Sequence, residues 1–304
     1  ISSLYYGGKK IASAWYGGKC VYRALTFLNS PVKLWQWTAS SYVYSVAVDS
    51  QFNVYAGDDG GNVTKLDSTG KQLWQWTAPS GVYSVAVDSQ FNVYVGDYGN
   101  NVTKLDSTGK QVWQWTTSNT VSSVAVDSQF NVYAGDDANS VTKLDSNGKQ
   151  LWQWTAPSAV YSVAVDSQLS VYAGDSGNHV TKLDSNGKQV WQWTTSNIVR
   201  SVAVDSQFNV YAGDDANHVT KLDSSGKQAW QWTAPSAVYS VAVDSQLSVY
   251  AGDSGNVTKL DSNGKQVWQW TALGFVYSVA VDSQFNVYAG DASDYATKLQ
   301  TAKQ

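Results

Sequence analysis

The sequence predicts an all-β protein, a seven-bladed β-propeller of four-stranded antiparallel blades. Two repeats that run in phase, and the lack of helical periodicity, lead to this prediction. Copies of the tripeptide Trp-Gln-Trp recur at a constant interval, which shortens by a single position before the last copy. They begin at Trp35, Trp74, Trp113, Trp152, Trp191, Trp230 and Trp268. The segment Ser-Val-Ala-Val-Asp recurs in phase with them, from Ser45 to Ser278. Repeats of about 40 residues that each contain four strands are typical of propeller blades.

One repeat contains four segments rich in β-branched and aromatic residues, separated by connectors of Asp, Ser, Asn and Gly. The predicted strands are Val43–Val48, 53–57, Asn62–Leu66 and Gln72–Thr77. We expect residues 67–70 to form a hairpin turn in which Gly70 adopts a positive φ. The tryptophans of the repeats are expected to wedge between neighbouring blades rather than stack on sugars, because rings of this size mostly serve cores.

The two ends of the chain are predicted to close the ring together. The last strand set stops at Leu299 without a Trp strand, whereas residues 35–38 form a Trp strand that precedes the first complete set. We therefore expect 35–38 to be the outer strand of the blade built from 276–299, which hides a sheet edge. The propeller then covers 31–304, and residues 1–30 form a short head with two Tyr-Gly-Gly-Lys units, each a strand, a turn and a strand.

The composition of the 304-residue chain argues against most enzyme classes. All 24 acidic residues are Asp, and the chain has two His, one Cys and no Met. Groups for general acid–base chemistry are therefore scarce, and one Cys permits neither an internal disulfide nor a cysteine-based zinc site. A net charge of −4 disfavours nucleic acid, and without a run of 18 apolar residues we expect no membrane insertion. We expect no enzymatic activity, no catalytic residue, no metal and no cofactor.

Two features that could indicate metal chemistry are interpreted as loop features. Adjacent aspartates occur at Asp58-Asp59, Asp136-Asp137 and Asp214-Asp215. Their spacing does not match a calcium-binding loop, and Asp beside Asn and Gly is common in turns. His179 and His218 occupy a repeat position where other copies have Asn or Ser, so we interpret that position as a solvated loop site and not as a ligand site.

The repeat resembles known propeller families. Val46-Ala-Val-Asp-Ser, followed by Asn53-Val-Tyr-Ala-Gly-Asp and Leu66-Asp-Ser-Thr-Gly-Lys, resembles the NHL repeat, and the trailing Trp strand is similar to the tryptophan-docking blades of PQQ-type propellers. The resemblance covers the seven repeats, from Pro31 to the end of the chain, and implies the fold alone. The Glu-containing calcium site and vicinal Cys pair of PQQ enzymes, and the His and Met residues of NHL-type zinc lyases, have no counterpart here.

One departure from the NHL pattern lies in the first hairpin of the repeat. The NHL pattern usually has Gly there, whereas this chain has a bulky apolar residue in every copy. These residues are Phe52, Phe91, Phe130, Leu169, Phe208, Leu247 and Phe285.

Differences among the seven copies concentrate in two of the four connectors. The hairpins between strands one and two and between strands three and four are almost invariant. The connector between strands two and three, and the connector from strand four to the next blade, vary. In an antiparallel meander these two emerge on one side of the disc, the loop face, and the invariant hairpins form the opposite side, the turn face. Variation over a constant scaffold is typical of a binding surface. Blades three and four nearly duplicate blades five and six.

The loop face carries the candidate ligand-binding residues. Near the channel mouth we place Tyr44, Tyr83, Tyr161, Tyr239 and Tyr277, with Ser122 and Arg200 in the two other blades. The variable loops add Tyr42, Tyr98, Phe275 and Tyr295. A ring of phenols suits carbohydrate, because apolar sugar faces stack on the rings and sugar hydroxyls form hydrogen bonds. The alternative is that these tyrosines only plug the channel.

The paired Tyr-Gly-Gly-Lys units of the head resemble small tandem β-motifs in tail and other virion proteins of bacteriophages that infect Gram-positive bacteria. The resemblance implies a virion or extracellular location. The sequence thus predicts a non-enzymatic recognition module of a phage or prophage virion-associated protein, which binds a host-surface glycan through the loop face. The alternative is a structural or protein–protein interaction scaffold whose partner is a virion or cell-surface protein.

Overall fold

The computed structural model describes residues 4–6, 9–11, 13–16, 19–23 and 26–303, and these residues form strands, turns and connectors. In the head, β1 (Leu4–Tyr6) pairs antiparallel with β2 (Lys9–Ile11), and β3 (Ser13–Tyr16) pairs antiparallel with β4 (Lys19–Arg23). The Gly-Gly pairs predicted as head turns lie outside the described residues. The rest of the described chain forms seven four-stranded antiparallel sheets arranged in a ring, which confirms the predicted propeller.

The first four blades have their strands in chain order, with the first strand beside the channel. Blade 1 contains β6 (Val43–Val48), β7 (Val54–Asp58), β8 (Asn62–Leu66) and β9 (Gln72–Thr77). Blade 2 contains β10 (Val82–Val87), β11 (Val93–Asp97), β12 (Asn101–Leu105) and β13 (Gln111–Thr116). Blade 3 contains β14 (Val121–Val126), β15 (Val132–Asp136), β16 (Ser140–Leu144) and β17 (Gln150–Thr155). Blade 4 contains β18 (Val160–Val165), β19 (Val171–Asp175), β20 (His179–Leu183) and β21 (Gln189–Thr194).

Blades 5 and 6 follow the same order, and blade 7 takes its outer strand from the other end of the described propeller. Blade 5 contains β22 (Val199–Val204), β23 (Val210–Asp214), β24 (His218–Leu222) and β25 (Gln228–Thr233). Blade 6 contains β26 (Ser240–Val243), β27 (Val249–Gly252), β28 (Asn256–Leu260) and β29 (Gln266–Thr271). Blade 7 contains β30 (Val276–Val281), β31 (Val287–Asp291), β32 (Tyr295–Lys303) and β5 (Thr26–Thr38).

The second strand of blade 1 begins one residue later than the sequence predicts, at Val54, because Asn53 belongs to the preceding turn. The Asn53 carbonyl accepts a hydrogen bond from Asp49 N at 3.0 Å. Its backbone N–H and its Nδ2 donate to the Asp49 carboxylate at 2.9 and 2.8 Å. The other three predicted strands of this blade have the observed bounds.

The bulky residues in the first hairpin of each blade adopt a left-handed backbone conformation, with φ of 66° at Phe52 and similar values in the other copies. Gly adopts this conformation without strain. A bulky residue there costs on the order of 1–3 kcal/mol. The buried Asp49 carboxylate opposes that cost, because it accepts hydrogen bonds from Gln51 N, from Asn53 and from the buried Tyr55 hydroxyl. The Asp–Tyr contact recurs in all seven blades at 2.9–3.0 Å.

In six of the seven Trp-Gln-Trp segments, the first tryptophan docks on the turn face of the following blade. The Trp35 indole lies against Gly70, where an added Cβ would come within 2.8 Å of the ring, and its Nε1 donates to Ser68 O at 3.0 Å. Gly70 has a φ of +89°, as predicted for this turn. Equivalent bonds of 3.0–3.2 Å extend from Trp74, Trp113, Trp152, Trp191 and Trp230. The tryptophans therefore join neighbouring blades, as the sequence predicts, and most of them are half-buried.

The inner strands are joined by a closed ring of hydrogen bonds. Ser45 Oγ accepts from Val85 N in the next blade at 3.0 Å, and the contact repeats until Val46 N donates to Ser278 Oγ. The blades also approach closely, because a Cβ on Gly57 would lie 2.5 Å from a methyl of Val82. The apolar core is consequently divided among the seven interfaces between blades.

The closing blade confirms the predicted pairing of the chain ends and adds a longer contact. β5 pairs with β32 from Thr38 opposite Tyr295 to Thr26 opposite Lys303, so it begins before residue 35 and spans the predicted start of the propeller at 31. Phe27 lies edge-on to Phe285, with ring centroids 5.3 Å apart. β5 also contacts β29, whose Trp268 is 5% exposed. In this blade the extended strand pair replaces the turn on which the other tryptophans dock.

Candidate binding site at the channel mouth

Backbone hydrogen bonds hold the two variable connectors of a blade together on the loop face. In blade 1, Asp59 N donates to Tyr42 O at 2.9 Å and Ala78 N donates to Gly61 O at 2.8 Å. In blade 3, Asp137 N donates to Thr120 O at 3.0 Å in the same way. The side chains that differ between blades are therefore brought to one side of the disc, as the sequence predicts.

Most of the predicted mouth tyrosines form an aromatic arc. Tyr44 stacks on Tyr83 with centroids 5.0 Å apart and planes 13° apart, and it lies 4.9 Å from Tyr277. Tyr239 continues the arc 5.8 Å from Tyr277, and Tyr98 continues it at the other end, 6.0 Å from Tyr83. Four of the rings are half-buried and Tyr98 is exposed, so the arc packs the mouth and also leaves ring surface accessible.

The opposite side of the mouth is polar. Arg200 donates from Nε and Nη2 to the two carboxylate oxygens of Asp215, at 2.8 and 2.7 Å, and its guanidinium lies 5.1 Å from the centroid of the Tyr161 ring. The hydrogen bonds to Asp215 raise the pKa of Arg200. At the equivalent place in blade 3, Ser122 Oγ donates to Asp137 Oδ1 at 2.8 Å.

A cavity of about 420 Å³ opens at the mouth. It is lined by Tyr44, Tyr83, Tyr98, Thr120, Ser122, Asp137, Tyr161, Arg200, Tyr239 and Tyr277. Thr120 and Asp137 were not among the predicted site residues. Asp137 is the second residue of an adjacent Asp pair that we interpreted as a turn feature. The signal that could have indicated its role is that this repeat position differs among the seven copies.

Three predicted residues lie outside this lining. Tyr42 and Phe275 are 45% and 46% exposed on the rim. The Phe275 ring lies 6.0 Å from that of Tyr239 and so supports the aromatic arc from outside. Tyr295 begins β32 and pairs with Thr38.

Burial raises the pKa of three phenols at the mouth. Burial, together with the nearby Asp59 carboxylate, raises the pKa of Tyr44 to about 12. Burial also raises the pKa of Tyr83 and of Tyr277. These hydroxyls are therefore neutral at neutral pH, and a ligand meets hydrogen-bond donors beside apolar rings.

The two faces of the propeller differ in charge. Within the described residues 26–303, Arg200 is the one arginine or lysine on the loop face. The carboxylates on that face are Asp58, Asp59, Asp97, Asp136, Asp137, Asp175, Asp214, Asp215, Asp253, Asp291 and Asp294. The lysines of the blades lie near the end of the third strand or in the hairpin after it, as Lys65 and Lys71 do in blade 1. The loop face is therefore acidic.

The two histidines serve loop structure. His179 Nδ1 lies 3.0 Å from Oδ1 of the buried Asp175, and His218 Nδ1 lies 3.4 Å from Asp214 Oδ2. In blade 1 the Nδ2 of Asn62 contacts Asp58 in the same way. The interpretation as a merely solvated position is thus incomplete, because His and Asn each provide a side-chain nitrogen to a buried carboxylate.

The described part of the chain contains no group of three or more His, Cys, Asp or Glu side chains placed to hold a metal ion. No helix there is long and apolar enough to cross a membrane.

Comparison with known proteins places this geometry among propellers. The profile of a PQQ-type repeat family, described as outer membrane protein assembly factor BamB, matches residues 32–159, 59–204 and 137–276. The WD40 β-propeller domain of Doa1 has a TM-score of 0.80 and 16% identity, over 88% of this chain and 96% of that chain. At this identity the likeness concerns the fold alone. No curated protein matches the chain. The PQQ-type resemblance is confirmed, and the NHL and virion resemblances stay predictions.

Proposed function

This chain belongs to the family described as outer membrane protein assembly factor BamB, and from that premise we propose that it is a non-enzymatic recognition module whose loop face binds a partner. One observation carries the proposal. Residues that differ among otherwise near-identical blades, such as Ser122, Asp137 and Arg200, line a cavity of about 420 Å³ together with a tyrosine that recurs in five blades. A scaffold that keeps its internal hydrogen bonds constant and varies the side chains around a cavity is suited to selecting a ligand.

A protein is the partner that we favour. The family description names a factor that assembles outer membrane proteins. Around the cavity, exposed apolar and aromatic side chains widen the possible contact surface: Tyr98 is 60% exposed, Leu273 72% and Phe275 46%. Aromatic residues of this kind are enriched at protein interfaces.

A surface carbohydrate is the second candidate. The observation in its favour is the set of tyrosine side chains that lines the cavity and offers both ring faces and hydroxyl groups. This second proposal includes a virion or extracellular location in a phage or prophage protein, and the Tyr-Gly-Gly-Lys units of the head support that location.

The absence of catalysis is part of the proposal. Burial raises the pKa of the Tyr44, Tyr83 and Tyr277 phenols at the mouth, and Arg200 is engaged by Asp215. Both histidines direct Nδ1 to structural carboxylates. An arrangement of this kind is suited to holding a ligand in place.

The proposal is tested by comparing two triple variants on a peptide display library and a glycan panel. The loop-face variant changes Tyr98, Leu273 and Phe275 to Ser. The control changes Leu73, Leu151 and Val190 to Ser, which are outer-strand residues that are also about half exposed. We expect the ligands selected by the unmodified chain to lose binding at least tenfold in the loop-face variant and to keep it in the control. Ligands that bind the loop-face variant undiminished would contradict the proposal.

A further inference from the structure

Blades 3 and 5 build the same corner of the channel mouth with one difference. Ser122, Asp137 and Tyr83 occupy the repeat positions that Arg200, Asp215 and Tyr161 occupy two blades later. The backbone is the same in both places, since Asp137 N bonds to Thr120 O and Asp215 N bonds to Ile198 O, each at 3.0 Å. A short Ser therefore stands in blade 3 where a long Arg stands in blade 5.

In blade 5 the corner is filled by the chain's own guanidinium. Arg200 pairs with both oxygens of Asp215 and lies over the Tyr161 ring at 5.1 Å. A planar guanidinium combines these two contacts well, because it matches a carboxylate with two parallel hydrogen bonds and stacks on an aromatic face.

In blade 3 the corresponding corner opens into the cavity. Ser122, Asp137 and Tyr83 all line it, and the Asp137 carboxylate receives a side-chain hydrogen bond from Ser122 at 2.8 Å. Tyr98 adds a second aromatic wall, with its ring 6.0 Å from that of Tyr83, and it is 60% exposed. The equivalent residue two blades later, next to Tyr161, is Ser176. The blade 3 corner thus retains the carboxylate and the ring of blade 5, and it lacks the cation.

We propose that a basic segment of a partner protein places an arginine side chain over Tyr83 and Tyr98, where it pairs with Asp137 in the space that Arg200 fills in blade 5. The inference rests on the proposed recognition function and names the chemistry of the partner. The acidic loop face supports it, because among the described residues 26–303 that face carries no other arginine or lysine beside Arg200. Arginine is favoured over lysine, since only arginine offers the two parallel hydrogen bonds.

The test uses the full chain and three short peptides, Gly-Ser-X-Ser-Gly with blocked ends, in which X is arginine, lysine or neutral citrulline. Binding is followed by NMR titration at low and at physiological salt. We expect the arginine peptide to bind most tightly, the lysine peptide more weakly and the citrulline peptide at least tenfold more weakly than the arginine peptide. Asp137→Asn is expected to weaken arginine binding about tenfold.

Two reciprocal variants sharpen the test. Ser122→Arg reproduces the corner of blade 5, so it is expected to fold and to abolish arginine binding by filling the site from within. Arg200→Ser opens the blade 5 corner and is expected to raise the number of bound arginine peptides from one to two. Near-ultraviolet circular dichroism verifies that both variants fold.

Equal binding of the citrulline and arginine peptides, unchanged binding in Ser122→Arg, or no binding of the arginine peptide would overturn the inference. In that case the recognition function would still hold if a neutral peptide or a glycan bound the unmodified chain and lost binding in the Tyr98, Leu273 and Phe275 variant. The two proposals therefore fail separately.

Discussion

Two aspartates on opposite faces of this propeller, Asp88 and Asp137, serve opposite purposes. On the turn face, the carboxylate of Asp88 accepts hydrogen bonds from Gln90 N, from the backbone and side chain of Asn92 and from the Tyr94 hydroxyl. On the loop face, the carboxylate of Asp137 accepts one side-chain hydrogen bond and borders a cavity. A carboxylate saturated by its own hairpin stabilises the blade, whereas a carboxylate with spare acceptor capacity remains available to a ligand.

The strongest test of this contrast compares Asp88→Ala with Asp137→Ala. Removal of Asp88 leaves two backbone N–H groups and the buried Tyr94 hydroxyl without an acceptor, so we expect a loss of about 3–5 kcal/mol of unfolding free energy. For Asp137, about 1 kcal/mol or less is expected, because only the hydroxyl of Ser122 loses its partner. Urea denaturation measures both. Equal losses in the two variants would show that the loop-face carboxylate is structural as well.

A smaller loss of unfolding free energy is expected when a tryptophan that docks on the turn face is removed. Trp152 is half-buried on Gly187 and donates to Ser185 O at 3.1 Å, so Trp152→Ala is expected to cost about 2–4 kcal/mol. Its neighbour Leu151 is 51% exposed on the same strand, and Leu151→Ala is expected to cost less than about 1 kcal/mol. Thermal unfolding of the two variants compares them. A Leu151 effect as large as that of Trp152 would contradict docking as the source of stability.

The smallest expected effect is the loss of stability when Tyr44 at the channel mouth titrates at alkaline pH. Because burial raises the pKa of Tyr44 to about 12, above its ordinary value of 10, folding favours the neutral phenol. The stability that it contributes is present below pH 10 and is lost as the pH rises from 10 towards 12. We therefore expect Tyr44→Phe to lose less stability than the unmodified chain between pH 10 and 12. Denaturation midpoints measured across that range test this, and parallel curves would argue against burial of the phenol.

Much of the fold could be predicted because each blade is specified locally. The Trp-Gln-Trp period fixes the number of blades, and the hairpin at 67–70 requires Gly70 at positive φ. The position of Asn53 was the exception. Its side chain and backbone bond to Asp49 in the same turn, so a residue that resembles the start of a strand completes the turn.

The site could be predicted only in part. Repeat phase placed Tyr44 and its equivalents at the mouth, because every copy of a repeat occupies the same place in its blade. The phase could not show that Asp137 faces the cavity or that Phe275 supports the arc from outside. Those outcomes depend on side chains from different blades, whose contacts are not encoded in one repeat.

The sequence by itself determined the all-β class, the seven blades, their closure by the first Trp strand and the location of the variation on one face. The class, the blade number and the side on which each connector emerges follow from the strand and turn pattern that the chain copies seven times, and the closure follows from the Trp strand at 35–38 that precedes the first complete strand set. Only the tertiary structure decided that Arg200 fills its own corner while Ser122 leaves one open, and that Tyr44 stacks on Tyr83. Segments distant in sequence meet at the channel when the ring closes, and that closure sets the distances at which their side chains interact.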